Sequence, residues 1–325
     1  MRRAGLVPAL VLAAAAACTR PPQPGPPPGE PPDPGPPLAQ SRMVFDSDRS
    51  GNFEVYSMGR DGGDVERLTD DRRFDSWWAR LSPDRRLILF YRSPKGTHDR
   101  DYTKTSLWMM ASDGSGPVEL RPARTDGWRL QGHAEWSPDG GRLVMFGGPR
   151  LNPRIHLTGT NGREPQTVVR RGGSNLDPSW SPDGTRILFV GCPRPICVER
   201  DYEIYTADAQ GGGERRLTDD SLRDHDPYFS PDGSRVAWLT QTSRRGAVGV
   251  WNIRMAGADG SNLHLVTNDN AVNSKPEWAR DGSVIYFHRI PPGERRFGIY
   301  LIRPDGTGLT EITAGHPGVN EYPSL

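Results

Sequence analysis

The motif Trp180-Ser181-Pro182-Asp183-Gly184 indicates a repeat protein, because similar motifs recur along the chain. Its other copies are Leu81-Ser82-Pro83-Asp84, Trp136-Ser137-Pro138-Asp139-Gly140, Phe229-Ser230-Pro231-Asp232-Gly233 and Trp278-Ala279-Arg280-Asp281-Gly282. Their second positions are 55, 44, 49 and 49 residues apart, which is about the length of a four-stranded propeller blade. Proline presets φ and Asp-Gly supplies a tight corner, so each copy predicts a hairpin turn.

Short segments rich in β-branched and aromatic residues follow each turn. Arg186–Val190 and Glu203–Tyr205 are examples, and a second turn such as Asp259-Gly260 comes next. A segment ending in Leu-Thr or a similar pair, such as Leu217-Thr218, completes the repeat. Such segments favour strands, and no stretch of useful length shows a helical period. The repeat therefore predicts four antiparallel strands and an all-β chain.

The two ends of the chain predict how the repeats close. The first repeat, from Ser41, lacks an opening strand and begins at Met43–Phe45, whereas the chain stops at Asn320–Leu325, where an opening strand belongs. Ser324 lies 45 residues after Ala279, in phase with the other repeats. We therefore predict a six-bladed β-propeller of four-stranded antiparallel blades over residues 41–325, in which the C-terminal strand joins the N-terminal blade and leaves no free edge.

These turns, the Ile-Tyr strands and the Leu-Thr ends resemble the PD40 repeats of TolB-like propellers over residues 41–325. The resemblance is specific for fold and poor for function, since one fold hosts many activities. TolB itself works with the Tol-Pal envelope system and has an α/β domain before its propeller, where this chain has a proline-rich segment. The resemblance therefore implies a TolB-like propeller, and binding to Pal is not carried over.

The N-terminus is typical of an export signal. Residues 1–17 combine Arg2 and Arg3 with a short apolar stretch that ends in small residues, as in a secretory signal. Cys18 follows directly, which resembles a bacterial lipoprotein signal, although Ala15 stands where that pattern usually has leucine. We expect Cys18 to be lipidated and to be the chain's only membrane attachment; the alternative is an ordinary cleaved signal with an incidental cysteine.

Residues 18–40 then form a proline-rich segment, which favours extended polyproline II and is typical of a semi-rigid tether. By resemblance, Thr19 after the cysteine favours the periplasmic face of the outer membrane, or the cell surface, over retention at the inner membrane.

The cysteines indicate a disulfide and no metal site. Cys192 and Cys197 lie in one short loop, and an oxidising compartment favours a disulfide between them over two free thiols. No second cysteine pair or closely spaced histidine pair accompanies them, so we expect no metal and no cofactor.

The net charge of the chain is close to zero, since 41 basic residues oppose 40 acidic ones. This balance argues against a nucleic-acid partner. We expect a monomer.

Polar residues lead into the opening strand of most repeats and are expected to ring one mouth of the central channel. They are His133, Glu135, Asn175, Asp177, Asp224, His225, Asp226, Asn273, Lys275, Asn320 and Glu321. The simpler interpretation is that these groups cap strands and hold water. If a binding site exists, this ring is where we expect it, because propellers and barrels gather ligands at the channel mouth.

We expect a non-enzymatic scaffold that binds an envelope protein or a cell-wall glycan. One alternative is a propeller enzyme, a lyase or hydrolase, with a polar or metal site at the mouth; another is a sensor of a small ligand or metal. The Gly-x-Ser-x-Gly nucleophile motif of hydrolases is missing from this sequence, which argues against the peptidase variant.

Overall fold

A computed structural model describes residues 29–170, 172–192, 194, 197, 201–244 and 249–325. The expected signal, residues 1–17, and Cys18 lie outside the described residues. Within them the chain is built from strands, with short 3-10 turns at Tyr102–Lys104 and Thr125–Gly127. No helix in this part of the chain is long and apolar enough to cross a membrane.

Four antiparallel sheets contain four strands each. The first, in the order β24-β1-β2-β3, consists of β1 (Arg42–Ser47), β2 (Glu54–Gly59), β3 (Glu66–Arg67) and β24 (Asn320–Ser324). The second consists of β4 (Phe74–Leu81), β5 (Leu87–Pro94), β6 (Ser106–Ala111) and β7 (Val118–Arg121). The third consists of β8 (Leu130–Trp136), β9 (Arg142–Gly148), β10 (Arg154–Gly159) and β11 (Gln166–Val169). The fourth consists of β12 (Asn175–Trp180), β13 (Arg186–Gly191), β14 (Glu203–Asp208) and β15 (Arg215–Arg216).

The remaining strands form one eight-stranded sheet. It consists of β16 (Arg223–Phe229), β17 (Arg235–Ser243), β18 (Val250–Gly257), β19 (His264–Leu265), β20 (Val272–Trp278), β21 (Ile285–Ile290), β22 (Gly298–Ile302) and β23 (Thr310–Glu311). Strands β16–β19 pair antiparallel, as do β20–β23, and one parallel residue pair, Trp251 with Val272, links the two sets. The chain is therefore a β-propeller of four-stranded antiparallel blades.

The repeated turn has the structure that its residues predict. Ser181 Oγ donates to the Asp183 carboxylate at 2.6 Å and accepts from the backbone N–H of Arg186 at 2.9 Å. Gly184 has φ +69°, a left-handed conformation that glycine adopts without a Cβ penalty. The first copy along the chain, Leu81–Asp84, has Arg85 at this position, also left-handed at φ 62°.

Arg85 hydrogen-bonds to the backbone at the C-terminal end of the proline-rich segment, which the structure describes from residue 29 onward. Its guanidinium donates to the backbone oxygens of Leu38 at 2.9 Å, Ala39 at 2.9 Å and Arg42 at 2.6 Å, and Arg85 is 0% exposed. The Ser112 hydroxyl donates to the oxygen of Pro36 at 2.7 Å. We call the face of the propeller that carries the Ser-Pro-Asp turns the turn-bearing face. Residues 36–39 therefore lie against the turn-bearing face and do not project from it.

Among the residues that the structure describes, the core forms six hydrophobic clusters, each lying mainly between two neighbouring groups of four strands. One cluster joins the last group to the first, with Met43 and Phe45 of β1 against Ile299 of β22 and Leu325. Strand β24 pairs with β1 antiparallel. The opening strand of each group lies innermost, because the opening strands of neighbouring groups contact one another. Each opening strand ends at its Ser-Pro-Asp-type turn and therefore begins on the opposite face.

Candidate functional site

Each innermost strand contains one residue with a left-handed backbone, at φ between 44° and 56°. These residues are Trp78, His133, Asp177, Asp226, Lys275 and Tyr322. Each lies where the pairing of its strand with the next strand shifts register. A bulge of this kind re-aims a side chain, and left-handed backbone costs a residue with a Cβ roughly 1–2 kcal/mol. The repetition therefore indicates that the bulges position side chains at the central channel.

A cavity of about 410 Å³ opens at the mouth of that channel. Five of the six left-handed residues line it, together with Asp99, Tyr102, Arg223 and His225. The sixth, Lys275, is fully buried and forms an ion pair with Glu277 at 2.8 Å. The cavity combines aromatic walls with carboxylates and imidazoles, which is the composition of a polar ligand site.

The Asp177 carboxylate lies between two histidines. One oxygen is 2.7 Å from Nδ1 of His133 and the other is 2.7 Å from Nδ1 of His225. Arg223 Nε donates to Nε2 of His225 at 3.0 Å, so the proton of neutral His225 lies on Nδ1 and faces Asp177. Burial alone would raise the pKa of Asp177, but the two imidazoles hold it well below the usual range. Asp177 is therefore an anion at the centre of the site.

His133 is the cation that balances this charge. Its ring is stacked on Trp78, and Nε2 lies 2.8 Å from the hydroxyl of Tyr102. Although burial alone would lower the pKa of His133, the charge of Asp177 and the hydrogen bonds of the site raise it to about 10. An imidazolium can therefore donate through Nε2 to Tyr102, whose hydroxyl donates in turn to Asp99.

Asp226 is the carboxylate that the rest of the site leaves available. Burial and the negative charge of Asp177 raise its pKa to about 6. No donor among the described residues hydrogen-bonds to it. One ligand atom each from His133, Asp177 and Asp226 lies within 4.8 Å of the others, so three neighbouring strands β8, β12 and β16 bring two oxygens and one nitrogen together.

Glu135 does not join this group. It accepts from Arg80 Nε at 2.8 Å and from the Tyr228 hydroxyl at 2.7 Å, deeper in the channel. Of the mouth residues His133, Glu135, Asp177 and Asp226, the structure thus brings all but Glu135 together. Imidazole with carboxylates is a donor set that Zn²⁺ or Mn²⁺ accepts, so these three side chains fit a metal that was not expected from the sequence.

The other residues expected at the mouth hold loops and strand ends. Asn273 donates to the Trp251 oxygen at 2.7 Å, Asn320 accepts from Arg49 at 2.6 Å, and Asp224 accepts from the Thr240 hydroxyl at 2.6 Å. The Asn175 amide donates to the oxygen of Gly173 at 3.2 Å. Glu321 lies 3.5 Å from Nε2 of His98. For these positions the simpler interpretation, strand capping, fits the contacts.

Five residues that the site uses were not expected from the sequence: Trp78, Asp99, Tyr102, Arg223 and Tyr322. Asp99 and Tyr102 belong to the segment between β5 and β6, and Asp99 also accepts from the Tyr322 hydroxyl at 2.6 Å. The 55-residue interval between the first two turns, the longest of the four, signals this insertion. Trp78 and Tyr322 are aromatic, so the polar pattern that leads into the opening strands does not include them, and Arg223 directly precedes the expected residue Asp224.

Cys192 and Cys197 are joined by a disulfide, with their Cα atoms 5.9 Å apart. Ser174, in the cavity wall, donates its backbone N–H to Sγ of Cys197 at 3.4 Å. The bridge closes a short ring within the loop after β13, and this hydrogen bond links Cys197 to the residue before β12.

Comparisons with known proteins agree with this architecture. An uncharacterised protein of Agrobacterium fabrum is 31% identical over 100 residues, which is 30% of this chain and 33% of that protein; the match spans only a third of the relative's length. The structure of TolB from Acinetobacter baumannii superposes with a TM-score of 0.66 at 15% identity, covering 87% of this chain and 66% of that one. An oligogalacturonate lyase in complex with manganese superposes with a TM-score of 0.56 at 14% identity, covering 83% and 73%.

At these identities the two superpositions show the fold alone. The family model described as the TolB beta propeller domain, PD40, matches residues 106–325, which is more than half of the chain. The chain therefore belongs to the TolB β-propeller family.

Proposed function

We propose that this chain is a non-enzymatic, exported and lipid-anchored propeller that binds an envelope protein or a cell-wall glycan at the mouth of its channel. A divalent cation held by His133, Asp177 and Asp226 takes part in that binding. The convergence of their three ligand atoms within 4.8 Å carries the proposal.

The scaffold in this proposal is a closed ring of six blades. Two observations support that count. The eight-stranded sheet divides into two antiparallel sets of four linked by one parallel residue pair. The six hydrophobic clusters also form a cycle, because the cluster of Met43 and Ile299 lies between the last and first groups. A closed ring has no free sheet edge, and its rigidity would keep the three ligand atoms in place.

The electrostatics of the mouth support a cation more than an anion. Asp226 has no donor among the described residues, and burial together with the nearby charge of Asp177 raises its pKa to about 6. A metal ion would remove that repulsion and would take the place of the proton on His133, since ligands bind metals in their deprotonated form. When bound, the metal would offer coordination positions to an oxygen of the partner.

The position of the N-terminal segment supports an outward-facing mouth. Residues 36–39 lie on the turn-bearing face, at Arg85 and Ser112. The mouth lies on the opposite face, where the innermost strands begin. With the anchor at Cys18, the turn-bearing face would be nearer the membrane and the mouth would face an envelope partner.

A lyase or hydrolase activity at the mouth is the second candidate. The observation that favours it is the pair Asp177 and Asp226, whose pKa values shift in opposite directions. Such a pair can divide the roles of base and acid. The fold likeness to an oligogalacturonate lyase with manganese makes that substrate class the first to assay.

Site-specific photocrosslinking from cell envelopes tests the proposal. A benzophenone amino acid at Leu151, which is 81% exposed beside the cavity residue Arg150, should capture a partner. The same group at Leu309, 43% exposed on the turn-bearing face, is the matched control. Capture at Leu151 should be lost with EDTA or with Asp226→Asn. Equal capture at both positions, or capture indifferent to EDTA, would contradict the proposal; turnover of oligogalacturonides would favour the second candidate.

A further inference from the structure

A second cavity lies on the sixth group of strands, β20–β23. The residues around it differ from those at the equivalent positions of the first group (β24 and β1–β3) and the fourth group (β12–β15). In the first and fourth groups, the third strand of the blade begins with a glutamate, Glu54 of β2 and Glu203 of β14. Each carboxylate accepts from a threonine hydroxyl, at 2.5 Å from Thr69 and 2.7 Å from Thr218. The glutamate is thus an acceptor built into the outer part of these blades.

An arginine on the outermost strand completes the arrangement. Nη2 of Arg67 lies 3.4 Å from Glu54, and Nη2 of Arg216 lies 2.7 Å from Glu203. In both copies the arginine Nε also donates at 2.6 Å to the backbone oxygen of the threonine, Thr69 or Thr218. In both blades, one guanidinium therefore pairs with a carboxylate and also donates a hydrogen bond to a carbonyl oxygen.

The sixth group keeps the carboxylate and lacks the arginine. Gly298 stands at the glutamate position, and Glu311 stands at the arginine position, since Tyr300 pairs with Glu311 as Tyr205 pairs with Arg216. The carboxylate of Glu311 occupies the space over Gly298, where an added Cβ would lie 2.7 Å from its Oε1. Thr313 accepts from the N–H of Ile299 at 2.8 Å, as its counterparts do.

A cavity of about 410 Å³ opens over this carboxylate, lined also by Glu294, Tyr300 and Thr313. No basic side chain of the described residues lies within 4.0 Å of the Glu311 carboxylate. Two neighbouring arginines have other partners: Arg49 donates to Asn320 at 2.6 Å, and Arg289 pairs with Asp269 at 2.5 Å. Arg296 also lines the cavity, but it forms no ion pair with Glu311. The oxygen of Thr313 accepts from His316 N–H at 2.9 Å and keeps one lone pair for a second donor.

We propose that this cavity binds the guanidinium of an arginine side chain from a partner molecule, in the place that Arg67 and Arg216 fill in their own blades. Glu311 supplies the carboxylate and Thr313 supplies the carbonyl oxygen. A planar guanidinium suits this pair because it presents several donors in a fixed fork. The site is separate from the channel mouth and does not depend on the cation.

Ligand-observed NMR with N-acetyl-arginine amide tests the proposal, with N-acetyl-citrulline amide as the neutral isostere. Arginine should bind at least about tenfold more tightly than citrulline, which corresponds to about 1.4 kcal/mol. Glu311→Gln should remove that preference, and the chain should still fold because Glu311 is exposed. Asp226→Asn, at the mouth, should leave arginine binding unchanged.

The double variant Gly298→Glu with Glu311→Arg rebuilds the pair of the first and fourth groups within the chain. It should abolish arginine binding while the thermal midpoint stays at or above the wild-type value. Equal binding of arginine and citrulline, undetectable binding of both, or arginine binding that survives in the double variant would each overturn the proposal.

Discussion

The ring of His133 lies face to face on that of Trp78, with centroids 3.9 Å apart and an interplanar angle of 6°. Both residues occupy left-handed bulges on neighbouring innermost strands. An imidazolium stacked on an indole gains from the negative face of the aromatic ring. The stack therefore acts with Asp177 to keep His133 protonated.

Histidine titration by NMR checks this charge state directly. His133 should remain protonated until its pKa of about 10, because the charge of Asp177 outweighs burial. His156, buried against Trp128 without a carboxylate partner, should titrate near 4 in the same spectra. A His133 resonance that titrates near 6.5 would show that the site is not an ion pair.

His156 also predicts an acid-sensitive fold. Burial lowers its pKa from 6.5 to about 4 in the folded chain, so between these pH values the unfolded chain binds the proton and the folded chain does not. Stability should fall as pH drops through this window, by up to about 3 kcal/mol. Urea unfolding at pH 7 and pH 4.5 measures the change. The His156→Asn variant should lose this part of the pH dependence; an unchanged dependence would contradict the assignment.

Arg85 is expected to hold the N-terminal segment to the turn-bearing face. Arg85→Gly restores the residue found in other copies of the turn and relieves a left-handed backbone, but it removes three hydrogen bonds to residues 38–42. Amide hydrogen exchange in residues 38–42 should therefore speed up at least about tenfold, the effect of roughly 1.4 kcal/mol. The control Arg86→Gly, at an exposed neighbour, should not change it. Unchanged exchange in Arg85→Gly would mean that the segment is held elsewhere.

The C-terminal strand is expected to close the ring. Deleting residues 320–325 removes β24, its pairing with β1 and the buried ring of Tyr322. The free energy of unfolding should fall by at least about 4 kcal/mol, since losing one large buried aromatic side chain costs about 3–5 kcal/mol. Thermal unfolding followed by circular dichroism measures the loss. A midpoint equal to that of the full chain would argue against closure through β24.

The sequence predicts the blades well because the turn chemistry is local. Ser181, Asp183 and Gly184 form their hydrogen bonds within six residues, so the phrase specifies the hairpin wherever it occurs. The pairing of β24 with β1 also follows from the phase of the repeats. These features need no knowledge of contacts between distant residues.

The site is harder to predict because it depends on contacts across blades. His133, Asp177 and Asp226 lie 44 and 49 residues apart, and only the bulges bring their ligand atoms together. A signal for those bulges does exist: Asp177, Asp226, Lys275 and Tyr322 are each followed by proline. Asp99 has no counterpart in the other repeats, so its place at the mouth required the structure.

Calorimetric titration with Mn²⁺ measures whether the channel mouth binds a cation. We expect one Mn²⁺ bound per chain at pH 7.5, with release of a proton as His133 becomes a ligand. Asp226→Asn should weaken binding at least about tenfold, the effect of roughly 1.4 kcal/mol. Asp219→Asn, whose side chain is 83% exposed, should bind like the wild type. Undetectable binding of Mn²⁺, or equal affinity in Asp226→Asn, would contradict the account.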